Sequence, residues 1–221
     1  MRRVLPVIQG IVASLTIPIS LDTTKAAVAR AGVAAGARLI NDVSAGTFDP
    51  EMLPAIADLG VPCCLMHLSV RPQEMGWSRA GGVAPDADIV ATVSDFLRDR
   101  VAAAQAQGIA RDAILLDPGF GFGKSVEQNL SLIRQLSQIR AEVGGGFPFL
   151  LGTSRKSTIG RILGTERDAA DPERTAGTAA MAALSVAAGA DMVRVHDVDF
   201  MVRVVRVADA IVRTASASYG V

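Results

Sequence analysis

AILLDPGF at residues 113–120 runs directly into GFGK at 121–124, and the form of this stretch decides how the rest of the chain reads. A short apolar run ends in an acid, Asp117, and Pro118 stops the strand. Three glycines then allow turns and a close approach of ligand to backbone, Phe120 and Phe122 offer flat apolar faces, and Lys124 closes the run. The stretch is not a P-loop, because GFGFGK lacks the G-x-x-x-x-G-K-[ST] spacing.

Working outward, the same form recurs. IPISLDT (17–23), RLINDVS (38–44), VPCCLMHL (61–68), FPFLLGTS (147–154) and DMVRVHDV (191–198) are apolar runs that end in polar residues. Each suits a strand buried on both faces. Between them lie segments of helical pattern, roughly 24–35, 50–59, 87–107, 126–141, 172–188 and 198–214, after a first helix at about 1–14. Thr23 and Thr24 stand where a cap for the 24–35 helix is expected, Gly36, Gly60, Gly108 and Gly189 follow helix ends, and Pro50 and Pro172 open helices.

Six strand–helix units in series imply an α/β fold with a parallel sheet. An open doubly wound sheet and a (β/α)8 barrel both fit that order. The polar groups favour the TIM (β/α)8-type barrel. Asp22, Asn41 with Asp42, His67, Asp117, Ser154 with Arg155 and Lys156, and Arg194 with His196 all fall at C-terminal strand ends. A barrel gathers these ends at one mouth, whereas an open sheet offers chemistry mainly at its switch point. A barrel needs eight units, so the expectation is a single partial barrel domain over residues 1–221, with the first two βα units missing. Open strand edges would then favour self-association, and a homodimer is expected.

Composition narrows the function classes. The 221 residues carry 22 Lys plus Arg against 22 Asp plus Glu, for zero formal net charge, which points to neither nucleic acid nor an anionic membrane. Half the residues are hydrophobic, which excludes a disordered chain. Cys63 and Cys64 are adjacent and make no disulfide framework, so a reducing cytoplasm is expected. The uncharged stretch from Val4 to Leu21 is broken by Pro6, Gln9, Gly10 and Pro18 and runs into SLDTTK, so it reads as neither signal peptide nor membrane span.

Three motifs carry chemistry. LLDPGFGFGK places a carboxylate suited to two parallel hydrogen bonds from an amidine-like N–H edge. LLGTSRKSTIG (150–160) puts Ser154, Arg155 and Lys156 where a helix begins, so amides and cations face an anion. VRVHDV (193–198) sets Arg194 and His196 on one side of a strand, as a phosphate clamp. Asp22 and Asn41 add an acceptor and an amide; His67 reads as structural. No carboxylate cluster or Cys/His grouping supplies a full metal site.

Together, DPGFGFGK, SRKS and RVHDV resemble the dihydropteroate synthase family of pterin-binding barrels, from Arg2 through about Arg213. The resemblance implies a transferase of folate biosynthesis. It joins 7,8-dihydropterin-6-ylmethyl diphosphate to 4-aminobenzoate and releases diphosphate. It further implies that Lys156, Arg194 and His196 are catalytic, with Arg194 and His196 holding the diphosphate. Asp22, Asn41 and Asp117 would hold the pterin with Lys156, and Phe122, Ser154 and Arg155 would lie near the aminobenzoate. The family's Mg2+ is implied as well, with its ligand in an N-terminal loop that this chain lacks. The family's usual Met-His-Met-x-Gly-x-Pro stands here as MHLSVRP, with Val70 in place of the glycine. A pterin-binding paralogue without catalysis is the alternative. A corrinoid-methyltransferase barrel is disfavoured by SRKS, because a methyl donor offers no diphosphate.

Overall fold

Short continuous apolar runs and stretches with period 3.6 alternate in space as they do along the chain. A computed structural model describes residues 1–68, 83–84, 87–165 and 172–213. Its strands are β1 (Ser20–Asp22), β2 (Leu39–Asp42), β3 (Cys63–Met66), β4 (Ile114–Asp117), β5 (Leu150–Leu151) and β6 (Met192–Val193). Its α-helices are α1 (Leu5–Ser14), α2 (Ala26–Ala34), α3 (Met52–Leu59), α4 (Ile89–Ala106), α5 (Val126–Arg134), α6 (Leu136–Val143), α7 (Ser157–Leu163), α8 (Pro172–Ala187) and α9 (Val198–Val212).

Every pairing is parallel and every strand's neighbour is the next one in sequence. β1 to β4 form one sheet and β5 to β6 another. A bridge between Leu116 and Phe149 joins the two into one arc. Sequential order without reversal is the winding of a barrel, not of a doubly wound sheet. The inner strands β3 and β4 are buried at every position, whereas β1 and β6, at the ends of the arc, are partly exposed.

Strand parity sorts the side chains into two layers. Ile40, Leu65, Leu116 and Leu151 join the main core beneath the helices. Cys64, Leu115 and Leu150 form a separate small cluster with Leu39 against it, on the opposite, concave face. Two residues further along those inward faces come Asn41, Met66 and Asp117. By the same count Asp42 and His67 turn outward, toward the helices.

Two helices carry side-chain caps that are local in sequence. Asp88 caps α4 by accepting from Val90 N and Ala91 N, and Ser125 with Gln128 forms a capping box on α5. The α2 cap is not a threonine of 23–24. The Ala26 amide donates instead to Asp49 Oδ2 at 2.8 Å, a carboxylate 23 residues away. The single helix expected over 126–141 is two, α5 and α6, separated at Gln135. Val70 lies outside the described residues.

Two glycines show how backbone strain is distributed. Gly60 ends α3 at φ +63 with nothing within 4 Å of an added Cβ, while at Gly119 (φ +74) a Cβ would lie 2.0 Å from His67 O. Gly60→Ala should therefore lower unfolding free energy by about 1 kcal/mol, the left-handed penalty alone. Gly119→Ala should lower it by at least about 3 kcal/mol, because backbone must move as well. Urea denaturation of the two variants checks the contrast.

Candidate active site at the barrel mouth

Asp117 ends a strand buried on both faces, and it is only 8% exposed. Its Oδ1 accepts from Gly119 N at 2.7 Å, which fixes the turn that follows Pro118. Burial pushes its carboxyl up to about 6; the Gly119 bond and the charges of Lys156, Lys124 and Arg194 hold it below where burial alone would leave it. The carboxylate therefore sits among three cations.

Lys124 is the cation whose importance the sequence pattern does not display. Its Nζ donates to Gly119 O at 2.8 Å and Phe122 O at 3.2 Å, pinning the glycine loop from inside. Burial pushes its ammonium down to about 7, opposed by Asp117. Asn129 braces the same loop, accepting from Gly121 N at 2.7 Å and donating to Thr158 Oγ1 at 3.1 Å. Lys156 Nζ lies 4.0 Å above the Phe122 ring, so ring and ammonium are held as a pair. Burial lowers the Lys156 pKa too, with Asp117 opposing.

On the far side, register places Asp22 beside Asn41. Asn41 Nδ2 donates to Asp22 Oδ1, and Arg194 Nη2 reaches Asp22 Oδ2 at 2.7 Å from the other end of the arc. Strand ends 172 residues apart thus meet across one mouth. Arg155 adopts φ +56. Its amide donates to Thr178 Oγ1 at 3.1 Å, and its carbonyl accepts from Arg174 Nη1 at 3.2 Å. Its guanidinium meets both oxygens of Asp197, at 2.8 and 3.1 Å. Ser154 Oγ lies 2.9 Å from His196 Nδ1 and accepts from His196 N at 3.2 Å.

The structure thus gathers Asp22, Asn41, Asp117, Phe122, Lys156 and Arg194 into one set of contacts and close charges, with Ser154 bonded to His196 beside them. Arg155 turns to Asp197. His67 stands apart, as parity requires. It is 3% exposed, its ring sits edge-on to Phe96 at 4.9 Å, and burial pushes its imidazole down to about 3. Lys124, Asp197, Thr178 and Arg174 were not singled out as partners by the sequence pattern. Lys124 alone carried a signal, as the last residue of the quoted stretch.

A parallel barrel-type fold with a buried acid, cations and an aromatic face at its strand ends defines a small-molecule enzyme of the mouth-sited kind. Residues 1–196 match the family described as pterin binding enzyme. Over 214 residues the chain is 43% identical to the dihydropteroate synthase of Synechocystis sp., covering 96% of this chain and 70% of that one. It is 39% identical to the Bacillus subtilis enzyme of that name over 220 residues, covering 100% and 70%. Among solved structures, Xanthomonas albilineans dihydropteroate synthase with 4-aminobenzoic acid superposes with a TM-score of 0.83 at 43% identity, covering 97% of this chain and 75% of that one. The chain belongs to the pterin binding enzyme family, as a dihydropteroate synthase-like transferase of folate biosynthesis.

The electrostatics give a titration test. Asp117 has a raised pKa, so its contribution to stability is present in acid and is lost as pH rises from the ordinary 3.8 through about 6. Lys124 has a lowered pKa, so its contribution is present in alkali and is lost as pH falls from 10.5 through about 7. Removing the Lys124 charge by Lys124→Met should move the Asp117 midpoint above about 6, because that charge lowers it. Carbon NMR of the Asp117 carboxyl reads the shift; an unchanged or lower midpoint contradicts the cation arrangement.

Proposed function

We propose that this mouth joins a dihydropterin methyl diphosphate to 4-aminobenzoate through the residues described above. The observation that carries the assignment of roles is the buried Asp117 carboxylate among Lys124, Lys156 and Arg194. A carboxylate so placed suits the two-donor edge of a pterin ring. Asn41, Asp22 and Lys156 flank it. Arg194 and His196 meet the diphosphate, and Phe122, Ser154 and Arg155 border the place of the aminobenzoate.

The chemistry asks for charge stabilisation more than for a base. The aniline lone pair forms the new C–N bond, the methylene C–O bond breaks with its electron pair departing on diphosphate, and the nitrogen then gives up one N–H proton to the released diphosphate or to water. Negative charge grows on the departing oxygen while positive charge develops on the methylene. Arg194 and His196 stabilise the first, and the electron-rich pterin, held by Asp117, spreads the second. Solved relatives support the substrate classes: Xanthomonas albilineans dihydropteroate synthase has been solved with 4-aminobenzoic acid and with 7,8-dihydropteroate.

Magnesium, which the resemblance implies, takes carboxylate, carbonyl and water oxygens. No group of three His, Cys, Asp or Glu side chains among the described residues could hold a metal ion. The described residues supply no such all-protein set, and no step here is assigned to Mg2+.

The same proposal takes residues 1–221 as one barrel domain and the chain as a cytoplasmic homodimer. Free, buried Cys63 and Cys64 support a reducing compartment. No helix among the described residues is long and apolar enough to cross a membrane. Pairing of two copies is supported by an apolar cavity of about 330 Å3 between α5, α7 and α8. Ile162, Leu163 and Leu184, at 52%, 41% and 59% exposure, stand around it. Leu184→Asp should shift sedimentation from dimer to monomer; a wild-type monomer contradicts the pairing.

Calorimetry tests the roles. Asp117→Asn turns an acceptor oxygen into a donor facing an N–H and should weaken pterin diphosphate binding by about 2–4 kcal/mol. Arg194→Ala should weaken the diphosphate substrate strongly and a pterin without phosphates little. Equal losses for both ligands would show that Arg194 does not meet the diphosphate.

A further inference from the structure

Ser154 has a second relation to His196 besides proximity. It is 6% exposed and lies after β5, and its oxygen accepts the His196 backbone N–H at 3.2 Å. The same oxygen lies 2.9 Å from His196 Nδ1. One hydroxyl therefore holds both the backbone and the ring of one residue, across 42 positions of sequence.

The hydrogen count decides how. A serine hydroxyl has one proton to give and two lone pairs to receive with. One lone pair is taken by the His196 amide. If Nδ1 also carried a hydrogen, both lone pairs would be filled and the hydroxyl proton would need another acceptor. Among the described residues, Ser154 Oγ has no hydrogen-bond partner other than His196. The buried hydroxyl is satisfied in full when its own proton goes to Nδ1.

We propose that Ser154 is a positioning residue that holds the neutral His196 ring as its Nε2–H tautomer, with Nε2 the nitrogen left to donate to a ligand anion. This deepens, and rests on, the reading in which His196 meets the diphosphate. The other tautomer would turn a nitrogen lone pair toward the anion and repel it. The backbone bond adds a second constraint by fixing where the ring starts.

Ser154 is itself held. Arg155, the next residue, keeps its left-handed backbone through bonds from its amide to Thr178 and to its carbonyl from Arg174. Thr178 and Arg174 are 0% and 3% exposed, so the serine is mounted on a buried part of α8. A ring oriented from such a mount needs less ordering when the anion arrives.

Nitrogen NMR of the protein labelled at histidine is the test, at alkaline pH, where neutral imidazole is observed. The chain has two histidines, so comparison of wild type with Ser154→Ala identifies the His196 ring. Wild type should show a pyrrole-type Nε2 and a hydrogen-bonded, pyridine-type Nδ1. Ser154→Ala should lose the Nδ1 hydrogen-bond shift, admit the second tautomer and weaken inorganic diphosphate about three- to tenfold. Ser154→Thr should restore both readouts. A protonated Nδ1 in wild type, or a His196 spectrum unchanged in Ser154→Ala, overturns the inference. If the tautomer responds to Ser154 but diphosphate leaves the His196 signals unmoved, the inference stands and the diphosphate role of His196 falls.

Discussion

Burying a carboxylate without compensation would simply keep it protonated, and the mouth is organised around preventing that at Asp117. Its position is set by β4, whose every residue is buried, and by a hydrogen bond from Gly119, whose left-handed turn brings an amide back to it. Three cations then share the remaining task. Lys124 comes from below, tied to the carbonyls of the same loop. Lys156 comes from the segment after β5, resting on Phe122. Arg194 comes from the far end of the arc, through Asp22. Without the carboxylate these three charges would repel one another; without the cations the acid would stay neutral and could not receive two N–H donors.

Strand parity explains why some polar residues entered the mouth and their neighbours did not. Cys64, Leu115 and Leu150 fill the concave layer below, and the next inward positions carry Asn41, Met66 and Asp117. Asp42 and His67, one residue removed, face the helices. Asp42 is 0% exposed and receives Ser44 N, Ser44 Oγ and Gly46 N, so it shapes the loop after β2. One step of register separates a mouth-facing residue from a loop anchor.

Much of this was readable beforehand. Asp22, Asn41, Asp117, Lys156 and Arg194 were visible because acids, amides and cations at the ends of apolar runs have few other places to go in a parallel sheet. His67, which reads as structural, lies buried against Phe96 within a run whose parity turns it outward. What stayed hidden depends on distance in sequence. Asp49 caps α2 from the next unit, Asp197 neutralises Arg155 from 42 residues away, and Arg174 and Thr178 steady Arg155 from α8. Local propensity carries no trace of such partners. Lys124 was seen but not understood, since nothing in a glycine-rich run reveals that its lysine turns inward.

The dependence of the site on an ionised Asp117 is open to one direct measurement. A ligand that needs the carboxylate charged must expel its proton, and with the carboxyl held near about 6, binding near that pH should release roughly half a proton per ligand. Calorimetry of pterin diphosphate in buffers of different ionisation enthalpy counts that proton. Release near pH 6 that fades toward pH 8 and vanishes in Asp117→Asn is the expected result. Binding with no proton release, or with the same release in Asp117→Asn, would contradict the placing of Asp117 at the centre of the site.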